Sequence, residues 1–315
     1  NQPLKVVCAC GNGTPGAFAP EVLRRIGCEV IEETCELDHN FPNYNPNPED
    51  LIMLEALSKA VLEHDADIGL AFDGDGDRCG VVDNEGEEIF ADKMGVIMAR
   101  WFATKHDAPL FIADVKSTGI FMTDEELLNL GARTEYWKTG HSYMKRHVHD
   151  RGALAGFEKS GHYFLNHPLG RGYDDGLLTA VLICQLLEDA SNQSMADLRR
   201  SLPQTWSSPT MSLYCADEKK YEVAERVANG FEEDAAAGLK FNDLKIVDIN
   251  RVNGIRITLE DGTWGLIRAS SNKPNLVVVV ESPVSEERMK AMFKIIDTRL
   301  SSMPEVGEYD QKIDV

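Results

Sequence analysis

IGLAFDGDGDR, residues 68–78, is the stretch that decides the fold. The apolar run 68–72 is typical of a buried strand, and three aspartates that alternate with two glycines follow it at once. If the strand simply continued, the first and last of these carboxylates would be about 13 Å apart. The glycines let the backbone curl, so that the carboxylates of Asp73, Asp75 and Asp77 can converge on one cation. Ligation by oxygen alone favours Mg²⁺ over zinc.

Two other classes of protein use similar aspartate spacings. An EF-hand calcium loop needs Gly at its sixth position and Glu at its twelfth, where this chain has Arg78 and Asn84. Haloacid-dehalogenase-like phosphatases also place D-x-D after a strand, but with Thr or Val two residues later, where this chain has Asp77. Neither class fits the stretch.

Strands alternate with helices on the N-terminal side of this stretch. Strands are predicted at 4–9, 28–33 and 66–72, with one helix from a Thr14 cap to about Gly27 and another over 49–64 that Asn47 caps. The order β-α-β-α-β predicts a parallel sheet with helices on both faces. Open sheets of this kind bind ligands at the carboxyl ends of their strands, where the aspartates lie.

The pattern repeats and then changes along the rest of the chain. A second unit combines strands at 109–114, 132–137 and 152–158 with helices at 117–130, 174–189 and 194–201. A third has helices at 217–229 and 285–301 and strands at 245–249, 253–259, 264–269 and 276–281, whose close spacing predicts an antiparallel sheet. The last dozen residues, polar and acidic, are expected to fray.

The fold class that we predict is therefore α/β, with two doubly wound three-layer α/β/α domains followed by a smaller α+β domain with an antiparallel sheet. The predicted domains are residues 1–106, 107–208 and 209–315.

Composition limits the function classes. The formal net charge of −20 argues against a broad nucleic-acid surface, although a local pocket of a few cations could still hold a small anion. No apolar run is long enough to span a membrane, and the N-terminus NQPLKVV does not resemble a signal peptide. Seven scattered cysteines predict buried free thiols in a reduced, cytoplasmic protein.

A glycine-rich loop offers a different function. CGNGTPG, residues 10–16, satisfies G-x-G-x-x-G at Gly11, Gly13 and Gly16 between a predicted strand and a helix. This is the context of a dinucleotide-binding loop, and it favours an NAD-dependent oxidoreductase. A tight strand-to-helix turn explains the glycines equally well, and a nicotinamide enzyme has no evident use for the aspartate loop.

Three segments in a fixed order resemble one family. The segments DGDGDR (73–78), GFEKSGH (156–162) and RASSNKP (268–274), each in its own predicted domain, are similar to those of the α-D-phosphohexomutases, in particular the phosphomannomutase/phosphoglucomutase branch. The resemblance covers residues 4–301. The first of the family's four domains carries a phosphorylated serine in a T-A-S-H-N-P-like loop, which these 315 residues do not contain. The chain is thus expected to match domains two to four and to be inactive alone.

The resemblance implies an isomerase that moves phosphate between O1 and O6 of a hexose through a bisphosphate intermediate. Mg²⁺ would bind at Asp73, Asp75 and Asp77. Arg78 would add a second cation or help to move a proton, or would neutralise the aspartate loop in a salt bridge, or both.

The resemblance also implies roles for residues further along the chain. His162 would be the general acid or base and His141 a second active-site histidine. The residues that would contact the sugar are Lys116, Glu158 and Ser160. Those that would hold the phosphate that is not being transferred are Arg268, Ser270, Ser271 and Asn272.

The expected partners are the missing first domain and the 1- and 6-phosphates of glucose or mannose. Glucose and mannose differ only in the configuration of the hydroxyl at C2, and none of these residues is expected to contact that hydroxyl. A binding module that holds Mg²⁺ and hexose phosphate without turnover is the alternative. Lys159, His147 and His149 are expected to be solvated.

Overall fold

The computed structural model describes residues 2–190 and 192–314. Contacts divide the chain into two compact units. The first takes in the residues up to Glu135 together with His141–Leu202, and the second takes in Tyr136–Gly140 and the residues from Pro203 onward. No helix among the described residues has both the length and the apolar character needed to cross a membrane.

The first unit alternates strands and helices. Its strands are β1 (Lys5–Ala9), β2 (Glu29–Glu33), β3 (Ile68–Phe72), β4 (Cys79–Asp83), β5 (Glu88–Ile89), β6 (Leu110–Asp114), β7 (Arg133–Trp137, whose last two residues fall in the second unit), β8 (Ala155–Phe157) and β9 (Tyr163–Leu165). Its helices are α1 (Ala19–Arg25), α2 (Leu51–Glu63), α3 (Ala91–Ala103), α4 (Ile120–Thr123), α5 (Glu125–Asn129), α6 (His141–Arg151), α7 (Gly176–Asp189) and α8 (Met195–Arg200).

The first sheet is mixed, with the strand order β2-β1-β3-β4-β5. Strands β1, β2 and β3 are parallel, as predicted, but β4 and β5 run antiparallel. The two antiparallel strands were not predicted; the aspartate loop joins β3 to β4 directly and is too short for a parallel crossover. Every residue of β3 is buried, and a side chain at Gly69 would collide with Leu57 and Val61 of α2.

The second sheet, of order β7-β6-β8-β9, is also mixed. Strands β6 and β8 are parallel, whereas β8 and β9 form an antiparallel pair. The tight turn between β8 and β9 is the segment EKSGH. In each sheet, the short connection between two antiparallel strands carries predicted site residues: β3 to β4 in the first sheet and β8 to β9 in the second.

The second unit is an antiparallel sheet covered by two helices. Its strands are β10 (Trp206–Ser207), β11 (Met211–Tyr214), β12 (Lys240–Phe241), β13 (Leu244–Asn250), β14 (Ile255–Leu259), β15 (Trp264–Ala269) and β16 (Asn275–Ser282), and its helices are α9 (Asp217–Ala236) and α10 (Glu286–Ser301). The strand order is β10-β16-β15-β14-β13-β12, with β11 also paired to β16. Apolar residues of both helices and of β14–β16 form one core.

Several helix boundaries differ from the prediction. The single helix expected from Thr14 is divided into a 3₁₀ turn, Thr14–Ala17, and helix α1. The N-cap of the 3₁₀ turn is Gly13 and not Thr14. Pro20 lies in the first turn of α1. Helix α2 is capped by Asp50, whose side chain accepts from the backbone N–H of Ile52, and not by Asn47. The helix predicted at 117–130 is broken into α4 and α5, because Asp124 caps the second piece.

The C-terminal residues are also more ordered than expected. Residues 307–310 lie along β11: Tyr214 N–H donates to the carbonyl of Glu308, and Asp310 N–H donates to that of Ser212. The rings of Phe293 and Tyr309 pack edge to face, with centroids 5.6 Å apart. The expectation that the last dozen residues fray is thus wrong for this part of them, since an aromatic residue fastens it to the core.

Candidate active site

The aspartate loop, residues 73–78, brings three carboxylates together. Oxygen atoms of Asp73, Asp75 and Asp77 all lie within 4.8 Å of one another. Asp73 is buried, Asp77 is half-buried and Asp75 is exposed, so the cluster opens toward solvent on one side. A set of three carboxylate oxygens fits Mg²⁺, which prefers oxygen ligands and keeps some of its water.

Hydrogen bonds to Asp73 shape this loop. Its Oδ1 accepts from the backbone N–H groups of Gly76 and Arg78, both at 3.1 Å. Gly76 has φ of +84°, and a side chain there would approach Pro15 to 2.8 Å. The curl that the sequence predicted therefore depends on a glycine at this position.

Arg78 neutralises part of the loop. Its Nε donates to Asp73 Oδ2 at 2.7 Å, and its NH1 donates to Asn47 Oδ1 at 2.8 Å. Burial alone would raise the pKa of Asp73, but the hydrogen bond and charge of Arg78 outweigh burial and hold that pKa below its ordinary value. The predicted salt bridge is present, and Asn47, which the sequence assigned to a helix cap, instead orients the guanidinium.

The glycine-rich loop supports the aspartate loop. The backbone N–H and the hydroxyl of Thr14 both donate to the carbonyl of Gly74, each at 2.9 Å. A side chain at Gly13 would lie 2.9 Å from Gly74 Cα, and one at Gly16 would lie 2.0 Å from the carbonyl oxygen of Cys35. Close packing of backbones accounts for both glycines without a bound dinucleotide.

The sugar loop, residues 158–162, lies beside the aspartate loop. The carbonyl of Gly161, which has φ of +95°, accepts from the N–H of Cys79 at 3.1 Å, and Arg78 and His162 form a β-bridge. The side chain of Glu158 is buried, and Ser160 Oγ lies 3.5 Å from Glu158 Oε2. The structure thus joins two motifs that are about 80 residues apart in sequence.

His162 connects the two loops. Its Nδ1 lies 2.9 Å from Ser160 Oγ and 3.2 Å from Glu158 Oε2, and its Nε2 lies 3.4 Å from Asp77 Oδ1. Burial would lower the pKa of His162, but the hydrogen bond to Glu158 and the negative charges of Glu158 and Asp77 raise it overall. Burial, despite the nearby imidazole, also raises the pKa of Asp77 to about 6. Both shifts favour the protonated form of the group concerned.

His141 lies near the same place. Its ring centroid is 6.4 Å from that of His162, and its Nδ1 lies 3.4 Å from Asp174 Oδ2. Asp174 was not among the predicted site residues, yet its carboxylate, Asp77 and His162 present possible ligand atoms within 4.8 Å of one another. The motif GYDDG, in which Asp174 lies, carried the signal that could have identified it.

Lys116 follows the carboxyl end of β6 and is buried. Its Nζ lies 4.0 Å from Asp114 Oδ2, and Asp114 Oδ1 accepts from Ser117 Oγ and from the backbone N–H of Lys159. The carboxylate of Asp114 therefore ties the strand end that carries Lys116 to the sugar loop.

Two residues predicted to be solvated are partly buried. The side chain of Lys159 is 9% exposed, with Nζ 3.5 Å from the buried carboxylate of Asp92. His147 is 15% exposed and lies 3.7 Å from Glu135, and burial lowers its pKa. His149 is exposed, as expected.

The four predicted phosphate-binding residues lie together in the second unit. Arg268 is buried near the end of β15, and its NH1 donates to the carbonyl of Ala269 at 3.0 Å. The next residues form the turn from β15 to β16, in which Ser270 Oγ accepts from the N–H groups of Asn272 and Lys273. Ser271 and Asn272 are exposed. The turn offers the hydroxyl and amide groups that an anion requires.

Sequence models of three successive domains match the chain. They are described as phosphoglucomutase/phosphomannomutase alpha/beta/alpha domain II over residues 1–86, alpha/beta/alpha domain III over residues 90–206, and the C-terminal domain over residues 216–298.

Individual proteins are similar over nearly the whole chain. A phosphomannomutase/phosphoglucomutase of Pseudomonas putida is 36% identical over 295 residues, which are 93% of this chain and 60% of that protein. A phosphoglucomutase of Neisseria gonorrhoeae is 34% identical over 94% of this chain and 61% of its own length. A crystal structure of a phosphoglucomutase/phosphomannomutase family protein from Burkholderia thailandensis superposes with a TM-score of 0.82 at 30% identity, covering 96% of this chain and 61% of that one. The chain thus spans about three fifths of the length of these relatives.

Proposed function

Because this chain belongs to the phosphoglucomutase/phosphomannomutase family, we propose that it carries the metal, sugar and phosphate sites of a phosphohexomutase. The reaction is the transfer of phosphate between O1 and O6 of a hexose through a bisphosphate intermediate. The observation that carries the proposal is the contact of the aspartate loop with the sugar loop through His162. The substrates are the 1- and 6-phosphates of glucose or mannose.

Asp73, Asp75 and Asp77 would hold the Mg²⁺ ion of this proposal, which would supply positive charge for phosphoryl transfer. Arg78 keeps Asp73 ionised and in position through the 2.7 Å hydrogen bond. Arg78 also places a second positive charge beside the phosphoryl group.

The sugar loop binds and orients the hexose. The carboxylate of Glu158 accepts hydrogen bonds and the hydroxyl of Ser160 donates one, which suits two neighbouring sugar hydroxyls such as those at O3 and O4. Lys116 contacts the substrate from the end of β6. His162 takes the proton from the attacking hydroxyl or returns it to the leaving one, because an imidazole ordinarily titrates near neutral pH and can serve in either direction. His141, whose Nδ1 lies 3.4 Å from Asp174, is the second active-site histidine.

The turn after β15 holds the second phosphate of the substrate. Arg268 supplies charge-assisted hydrogen bonds, and Ser270, Ser271 and Asn272 add hydroxyl and amide groups. Binding energy from this distant phosphate orients the reacting end of the sugar.

The phosphoserine of the reaction comes from a domain outside these 315 residues, because no T-A-S-H-N-P-like loop is present among them. The isolated chain therefore binds Mg²⁺ and hexose phosphate without turnover, as a binding module does. Its seven free cysteines agree with a reducing, cytoplasmic environment.

The test is conversion of glucose 1-phosphate to glucose 6-phosphate by this chain with a phosphorylated phosphoserine domain of the family, supplied in trans or fused. We expect turnover only when both parts and Mg²⁺ are present. Asp75→Asn should lower the rate by about a hundredfold or more, whereas Asp107→Asn, an exposed control of the same chemistry, should not change it. Turnover by the chain alone, or full activity of Asp75→Asn, would refute the proposal.

A further inference from the structure

Three thiols meet in the first unit, on the opposite side of β1 from α2. Val7 and Ala9 pack into the core beside α2, so alternation along the strand places Cys8 and Cys10 on the other face. Cys35 comes just after β2, whose last residue, Glu33, pairs in register with Ala9. The parallel pairing of β1 with β2 thus brings the third sulfur to the first two.

The sulfurs already have the spacing of a metal site. Cys8 Sγ and Cys10 Sγ lie 3.8 Å apart, Cys10 Sγ and Cys35 Sγ lie 3.5 Å apart, and all three lie within 4.8 Å of one another. Zinc–thiolate bonds of about 2.3 Å in a tetrahedron place the sulfurs about 3.8 Å from each other. Little movement is therefore needed for all three to bind one ion.

The chemistry of the cluster selects a soft cation. Three sulfur ligands bind zinc or copper(I) in preference to Mg²⁺, which requires oxygen. All three residues are buried, with exposures of 0%, 0% and 7% for Cys8, Cys10 and Cys35. Three thiolates leave a net charge of −1 with a divalent ion but −2 with a monovalent one. Because buried net charge is costly, the divalent ion is favoured.

We propose that Cys8, Cys10 and Cys35 bind one Zn²⁺ ion, with the fourth coordination position left to a water molecule. Binding replaces three sulfur–hydrogen bonds with three zinc–sulfur bonds and releases three protons to solvent. Because binding releases protons, zinc affinity increases with pH.

The site is structural, and it lies next to the aspartate loop. Cys10 immediately precedes the segment in which Gly13 and Thr14 contact Gly74. A bound ion fixes the end of β1 to the segment after β2, and so fixes the support of the aspartate loop without contributing a ligand to it.

Cobalt(II) titration of the reduced, metal-free chain tests this proposal. We expect one Co²⁺ per chain to give thiolate-to-cobalt charge-transfer absorption, which an equivalent of Zn²⁺ abolishes. Cys35→Ser should weaken Zn²⁺ binding by more than about tenfold, whereas Cys215→Ser, a buried free thiol in the second unit, should bind normally. Asp75→Asn should retain the absorption, which separates this site from the Mg²⁺ site.

X-ray absorption at the zinc edge identifies the ligands of zinc in the unmodified chain. This measurement does not depend on whether the serine variant folds. Three sulfur neighbours at about 2.3 Å support the site. A shell of oxygen and nitrogen alone, or cobalt binding that Asp75→Asn removes, would overturn it.

Discussion

His162 shows most clearly, among single residues, how its environment sets the protonation of a group in the candidate active site. It is buried, which disfavours its charged form, yet Glu158 and Asp77 together more than compensate. Each of these acids is in turn held by its own loop. The protonation of one imidazole thus depends on the contact between two motifs that are far apart in sequence.

Replacement of Glu158 by Gln should lower the pKa of His162, because the burial cost remains while the largest opposing contribution is lost. The measurement is a titration of the histidine ring signals by NMR, with His162→Asn to assign the signal. Glu135→Gln is the matched control, since Glu135 lies beside His147 and its change should move that histidine only. An unchanged His162 titration in Glu158→Gln would contradict this account of the site.

The candidate site residues lie in motifs that the sequence shows, whereas their supporting residues do not. Asn47 and Arg78 are 31 positions apart, and their hydrogen bond results from the path of the loop before α2. Asp174 reaches Asp77 and His162 only because the chain returns to the aspartate loop: Gly176 N–H donates to the carbonyl of Gly76. Such long-range contacts leave no local pattern in the sequence.

At the scale of elements, close approach of two loops explains the glycines before α1. Gly13→Ala should lower the free energy of unfolding by about 1–3 kcal/mol, because the methyl group would push on the backbone of Gly74. It should also weaken Mg²⁺ binding, measured by calorimetry. Gly27→Ala, which has φ of +106° but open space around it, should cost stability through backbone strain and leave Mg²⁺ affinity unchanged. Equal Mg²⁺ affinities in the two variants would argue against support of the aspartate loop by Gly13.

Strand β5 carries a carboxyl group that opposes folding at neutral pH. Burial raises the pKa of Glu88 from 4.5 to about 7. As pH rises from 4.5 to 7, the unfolded chain ionises first, so the native state loses stability, and the full cost is present above pH 7.

Glu88→Gln should therefore raise the free energy of unfolding at pH 8 by on the order of 1–2 kcal/mol and have little effect at pH 4. Urea unfolding at the two pH values measures this difference. The exposed neighbour Glu87, changed to Gln, should show no such dependence on pH. A gain of the same size at both pH values would mean that the benefit does not come from removing the charge.

The long elements of the second unit were predicted well, whereas one helix of the first unit was missed and another was predicted without its break. The four long strands and both helices of the second unit lie close to their predicted positions, although α9 continues to Ala236. Helix α3 was not predicted, although its apolar residues recur at helical spacing and most of them are buried. The break between α4 and α5 comes from Asp124, whose side chain Arg100 also binds at 3.0 Å, and this contact is not visible in a local pattern.

At the scale of the whole molecule, the C-terminal segment is part of the second unit. Tyr309→Ala should cost about 2–3 kcal/mol, because it removes a ring that packs on Phe293, whereas Tyr309→Phe keeps the ring and should cost less than about 1 kcal/mol. Urea unfolding measures the stability of both variants. Hydrogen exchange in β11 and β16 then shows whether these strands lose protection. Equal effects of the two changes would show that the segment contributes little to the core.

Anomalous diffraction from crystals soaked in Mn²⁺, a substitute for Mg²⁺, tests the central claim most directly. The account predicts one strong peak bounded by carboxylate oxygens of Asp73, Asp75 and Asp77, and no peak in Asp75→Asn crystals soaked at the same concentration. Carboxylates that turn away from one another, with manganese absent between them in the unmodified chain, would contradict it.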